Sequence, residues 1–181
     1  YLKKVDEKRL AAAAALVARA VEAASLSKFA NRALTALAVD TPIGAVVIGG
    51  PGSDTYAAGH LAERGAFVLE LGGDDTYEVP IGVGRREVPV GVFVDLGGKD
   101  RYGYEISADS QDKATRPPSD SAGRYGLAGA TGQTLSRVGR QGSGVLGVGL
   151  LWDLGGQDDE YASLTLFQGA GAMGVGVLVD D

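Results

Sequence analysis

A chain of 181 residues, 45% hydrophobic and 22% charged, has the size and composition of one domain with a core of its own. It has no cysteine and a single histidine, His60, which excludes disulfides, thiolate catalysis and metal sites built on cysteines or on several histidines. Residues 1–38 carry seven Lys/Arg against three Asp/Glu and the remainder ten against twenty, so the acidic body argues against a nucleic-acid surface and favours cation binding or plain solubility.

The first predicted element is helical. Residues 3–38 are rich in alanine and leucine and contain neither Gly nor Pro. Leu10, Val17, Val21 and Ala24 recur at helical spacing, and Leu26, Phe29, Ala33 and Leu37 continue the stripe. Ser25 and Ser27 divide the segment, because serine favours caps over helix interiors. Lys8-Arg9 followed by Leu10–Val17 and Ala18-Arg19-Ala20 resembles a secretory signal. Asp6, Glu7 and the alanine-rich apolar run oppose that reading. No run is long enough to span a membrane.

After Asp40 the pattern becomes short apolar runs ending in glycine pairs. Glycine numbers 29 in all, well above the usual share of about 7%. Four segments align: Ala45-Val46-Val47-Ile48-Gly49-Gly50, Val68-Leu69-Glu70-Leu71-Gly72-Gly73, Phe93-Val94-Asp95-Leu96-Gly97-Gly98 and Leu151-Trp152-Asp153-Leu154-Gly155-Gly156. Each leads to an Asp-x-Tyr triplet ending at Tyr56, Tyr77, Tyr102 or Tyr161. A second echo relates Gln141-Gly142-Ser143-Gly144 to Gln168-Gly169-Ala170-Gly171. Between the third and fourth repeats, residues 106–140 read as a long polar loop.

A period of 21–27 residues suits one coil of a parallel β-helix. The expected fold is therefore mainly β: a right-handed parallel β-helix (solenoid) with an N-terminal α-helical cap, its core rows led by Val46, Leu69, Val94 and Trp152. The alternative is a series of antiparallel β-hairpins turning at the glycine pairs. The organisation divides into residues 1–40, a helical cap, and 41–181, a glycine-rich repeat region continuing beyond Asp181. Gly174–Val179 begins another repeat without its turn, so further repeats or another protein chain should cover that edge.

Gly49-Gly50-Pro51-Gly52-Ser53-Asp54-Thr55-Tyr56-Ala57 matches the nonapeptide G-G-x-G-x-D-x-U-x and resembles the RTX (repeats-in-toxin) family. That resemblance implies glycine-rich turns and aspartates holding Ca²⁺ between stacked coils. It covers nine residues once, and the later repeats lack two residues of the pattern.

The carboxylates make a separate case. Glu70, Asp95, Asp153 and Asp180 share one repeat position, on the face opposite the expected core row. Stacked about 4.8 Å apart, two like charges repel by about 3 kcal/mol at an effective dielectric of about 20. Such a column wants a hard cation or basic side chains, or else each aspartate caps its own Leu-Gly-Gly turn. The candidate metal ligands are Asp54, Asp75, Asp100, Asp153 and Asp159, with Ca²⁺ as the cation. The recurring tyrosines read as a packing row or, alternatively, a carbohydrate strip, and His60 as a surface histidine. Repetition without a convergent catalytic constellation points to a non-catalytic structural or interaction module of the cell surface or envelope. The alternative is a polysaccharide-active β-helix lyase or hydrolase using Asp75, Asp100 and Arg101.

Overall fold

The computed structural model describes residues 6–103, 139–162 and 168–181. Helix α1 spans Glu7–Ala24. It starts at Asp6, whose side chain accepts the Arg9 N–H at 3.1 Å, with Glu7 in the first turn to complement the positive helix end. It stops where Ser25 turns left-handed at φ 50°. A 3₁₀ turn at Leu26–Phe29 follows, and the chain is then tied down by Asn31, whose N–H reaches the Leu71 carbonyl at 2.6 Å.

The strands are β1 (Leu37–Val39), β2 (Ala45–Ile48), β3 (Thr55–Tyr56), β4 (Gly65–Glu70), β5 (Thr76–Tyr77), β6 (Val90–Asp95), β7 (Arg101–Tyr102), β8 (Gly144–Val145), β9 (Val148–Asp153), β10 (Glu160–Tyr161), β11 (Gly171–Ala172) and β12 (Val175–Asp180). They form a six-stranded sheet in the order β1-β2-β4-β6-β9-β12, a four-stranded sheet in the order β10-β7-β5-β3 and a two-stranded sheet β11-β8. Each repeat lays one strand in the large sheet, turns through Gly-Gly and lays two residues in the four-stranded sheet. Pairing keeps the later repeats in register, Leu69 aligning with Val94, Val94 with Trp152 and Tyr77 with Tyr102, whereas β2 sits two residues off its Gly-Gly alignment, with Val47 opposite Val68. Where the turns stack closely, as at Gly73 and Gly98, only glycine fits. At Gly98, φ is +154° and a Cβ would collide with the Gly73 carbonyl oxygen.

Three expectations are corrected. The fold is mixed, not a right-handed parallel β-helix, because the largest sheet contains antiparallel as well as parallel pairs: β1 runs antiparallel to β2, with Leu37 opposite Ile48. The connection is too short for a parallel crossover, which needs a dozen or more residues, and closes instead through reciprocal Thr41–Gly44 backbone bonds of 3.2 and 3.1 Å. The antiparallel-hairpin alternative fails too, since β4 and β5 on either side of Gly72-Gly73 belong to different sheets and each pairs in parallel. Helical structure does not run through residues 3–38 either, because the stripe over Leu37 belongs to strand β1. The loop expected at 106–140 lies outside the described residues except for Gly139 and Arg140.

The large sheet is covered on both faces. Leu69, Leu71, Val94, Leu96, Leu150 and Trp152 meet Leu10, Val17, Val21, Leu26 and Phe29 of the helical segment. Alternation turns Val47, Val68, Phe93 and Leu151 the other way, onto Tyr56, Tyr77 and Tyr102 of the four-stranded sheet. The row expected to fill the interior is thus the row that docks α1, and the opposite row lies between the sheets. Among the described residues no helix is long and apolar enough to cross a membrane.

Candidate metal centre

Glu70, Asp95 and Asp153 end their strands and align across the large sheet. They continue the row of Val68, Phe93 and Leu151, so they point between the sheets, and each is at most 1% exposed. The first repeat carries Gly49 at the corresponding place, where a Cβ would fall on the Glu70 carboxylate. The longer glutamate fills the space that its glycine neighbour leaves.

Asp75, Asp100 and Asp159 supply a second column. Each accepts the backbone N–H of the equivalent aspartate one repeat earlier: Asp54 N–H to Asp75 Oδ1 at 2.6 Å, Asp75 N–H to Asp100 Oδ1 at 2.7 Å and Asp100 N–H to Asp159 Oδ1 at 2.6 Å. The tyrosines form a third column, with ring centroids 5.0, 4.9 and 4.6 Å apart from Tyr56 to Tyr161. Their hydroxyls donate into the first. Tyr56 bonds Glu70, Tyr77 bonds Asp95 at 2.6 Å and Asp75 at 3.1 Å, Tyr102 bonds Asp153 at 2.9 Å, and Tyr161 bonds Asp153 at 3.0 Å.

These columns bring the acids together in threes. Asp54, Glu70 and Asp75 form one group, Asp75, Asp95 and Asp100 the next, and Asp100, Asp153 and Asp159 the last. Within each, one carboxylate oxygen per residue lies within 4.8 Å of the others. Three oxygen donors so placed could hold a metal ion, and hard carboxylates suit a hard cation.

Burial disfavours the charged form of Glu70, Asp75, Asp95, Asp100 and Asp153. It raises Glu70 to about 8 and Asp75 and Asp153 to about 7, and neighbouring carboxylates add to the rise. Asp100 rises to about 9, through burial and then the charge of Asp95. Asp95 is itself raised by burial, against the hydrogen bonds from Tyr77 and Gly97 that favour its charge. A cation would offset these shifts by replacing protons as the compensating charge.

All five candidate ligands fall within the three groups. Asp75, Asp100 and Asp153 are buried, Asp159 is half-buried and Asp54 is exposed. Glu70 and Asp95 complete the groups but are absent from the candidate set. Their shared repeat position was the available signal, and it pointed away from the expected core row. Asp180 aligns with Asp153 but is exposed and joins no group. Capping of the Leu-Gly-Gly turn occurs at Asp95, whose Oδ1 accepts the Gly97 N–H at 3.0 Å. Arg101 pairs with Glu160 at 3.5 Å. His60 is half-buried: its ring lies edge-on to Tyr56 at 4.7 Å and its Nδ1 accepts the Ala62 N–H at 3.1 Å.

Comparison with protein-family models, curated proteins and solved structures finds no match.

Proposed function

We propose that the chain is a non-catalytic structural or interaction module whose interior acid ladder is neutralised by Ca²⁺. The observation that carries this is the inward ladder itself. Its carboxylates spend their hydrogen bonds on neighbouring repeats, and Asp75 and Asp100 are each 1% exposed, so a polymeric substrate has no path to them. The nonapeptide ending at Ala57 supports the choice of cation by its resemblance to RTX repeats. A cell-surface or envelope setting agrees with it, since extracellular modules bind Ca²⁺ at about 10⁻⁴–10⁻³ M. Strand β12 ends the large sheet with Val179 37% exposed, and we assign this edge to another protein chain.

The test is thermal melting of the protein in chelator and in millimolar Ca²⁺. Binding to the folded state alone should raise Tm by mass action, by the equivalent of about 2.7 kcal/mol at a hundredfold excess over Kd. An unchanged Tm refutes Ca²⁺ stabilisation. Turnover in a glycan-degradation screen, lost in Asp100→Asn, refutes the non-catalytic assignment.

A further inference from the structure

The three acidic groups are not equivalent, and their hydrogen bonds tell them apart. In the middle group each oxygen of Asp75 and Asp95 lies within hydrogen-bonding distance of a donor, the single Tyr77 proton being shared between Asp95 Oδ2 and Asp75 Oδ2. Asp75 Oδ1 takes the Asp54 N–H and its Oδ2 the Tyr77 hydroxyl. Asp95 Oδ1 takes the Gly97 N–H and its Oδ2 the hydroxyls of Tyr77 and, at 3.5 Å, Tyr102. The first group has one buried oxygen without a partner among the described residues, Glu70 Oε1. It shares the saturated Asp75, and its third member, Asp54, is exposed.

The last group differs. Asp100 Oδ2 and Asp153 Oδ1 are both buried and, among the described residues, neither meets a donor other than a neighbouring carboxyl, Asp100 lying against Asp95. Their side chains are each 1% exposed. The turn after Asp153 repeats the Leu-Gly-Gly of the turn after Asp95, yet the capping bond to Oδ1 is not made. Asp159, the third member, uses Oδ1 for the Asp100 N–H and is half-buried, which leaves Oδ2 open and gives an ion a way in. Leaving two buried carboxylate oxygens unpaired is costly, and one divalent cation would satisfy both.

Resting on the reading of a cation-neutralised ladder, we infer that Asp100, Asp153 and Asp159 form its principal divalent-cation site, of the Ca²⁺ class. The middle group shares Asp100 with this site, and its other two members, Asp75 and Asp95, already face hydrogen-bond donors. Water completes the shell from the half-open side at Asp159.

The test uses Tb³⁺ as a Ca²⁺ stand-in, sensitised by the nearby Tyr102 and Tyr161 and displaced by Ca²⁺, on the whole chain. Asp159→Asn keeps an oxygen to accept the Asp100 N–H but removes the charge. Its Ca²⁺ affinity should fall by at least about tenfold, since even partners outside the ligand shell are worth 10–100-fold. Asp158→Asn, at an exposed neighbour that joins none of the three groups, should bind as the wild type does. Undiminished binding by Asp159→Asn, or loss of binding in Asp158→Asn, overturns this placement alone. Absence of Tb³⁺ and Ca²⁺ binding by the wild type overturns both the placement and the Ca²⁺ reading beneath it.

Discussion

Tyr77→Phe separates a hydrogen-bonded ladder from a merely packed one. The substitution keeps the ring and its stacking between Tyr56 and Tyr102, at 5.0 and 4.9 Å, and deletes only the hydroxyl. That hydroxyl donates to Asp95 at 2.6 Å and lies 3.1 Å from Asp75, in a site where Tyr77 is 1% exposed. It carries one proton, so one charge-assisted bond is lost, worth about 1.5–3 kcal/mol. Asp95 Oδ2 retains only the Tyr102 hydroxyl at 3.5 Å, the outer limit of a hydrogen bond, and no water can replace the lost donor without opening the core. In a domain of this size each kcal/mol moves Tm by about 2–4 °C, so Tyr77→Phe should melt roughly 3–12 °C lower. The assay is thermal and urea unfolding in chelator, with an unchanged m-value showing that the same surface unfolds. Tyr161→Phe provides the scale: its hydroxyl makes one 3.0 Å bond from a half-buried position and should cost about 1 kcal/mol. A Tyr77→Phe change within about 0.5 kcal/mol of zero would mean that the tyrosines only pack, and the ladder argument would fail.

In chelator, stability should fall as pH rises. The folded-state values of about 7 for Asp75 and Asp153, 8 for Glu70 and 9 for Asp100 lie above the ordinary carboxylate value of about 4, so the folded state holds protons that the unfolded chain has released. That contribution is complete below about pH 4 and is lost through about pH 7–9. Urea midpoints at pH 5 and 8.5 check it, a higher midpoint at pH 8.5 counts against it, and Ca²⁺ should flatten the slope. At the turns, Gly98→Ala should cost more than about 2 kcal/mol, from strained φ and the collision with Gly73. Gly50→Ala, where an added Cβ meets nothing within 4 Å, should stay within about 0.5 kcal/mol. Equal denaturation midpoints for the two variants would refute the stacked-turn geometry.

Much of the site was legible because repetition is a property of sequence. Asp54, Asp75, Asp100 and Asp159 share one place in the repeat and Glu70, Asp95 and Asp153 another, and parallel pairing in register converts each place into a column. Alternation also separated the Leu69–Val94–Trp152 row from the carboxylate row. It could not say which row faces the interior, because a sheet apolar on both faces alternates in the same way whichever side meets a helix. Only the docking of Leu10, Val17 and Val21 onto Trp152 and its neighbours decided that, and with it the inward turn of Glu70 and Asp95. Strand β1 was hidden because Leu37 continues a helical stripe; its pairing with β2 is a long-range hydrogen-bond choice that local propensity does not encode. The difference among the three acidic groups lay beyond sequence altogether. Asp95 and Asp153 sit in the same Asp-Leu-Gly-Gly context, and only the tertiary arrangement of backbone N–H groups and tyrosine hydroxyls saturates one carboxylate and leaves an oxygen of the other unpaired.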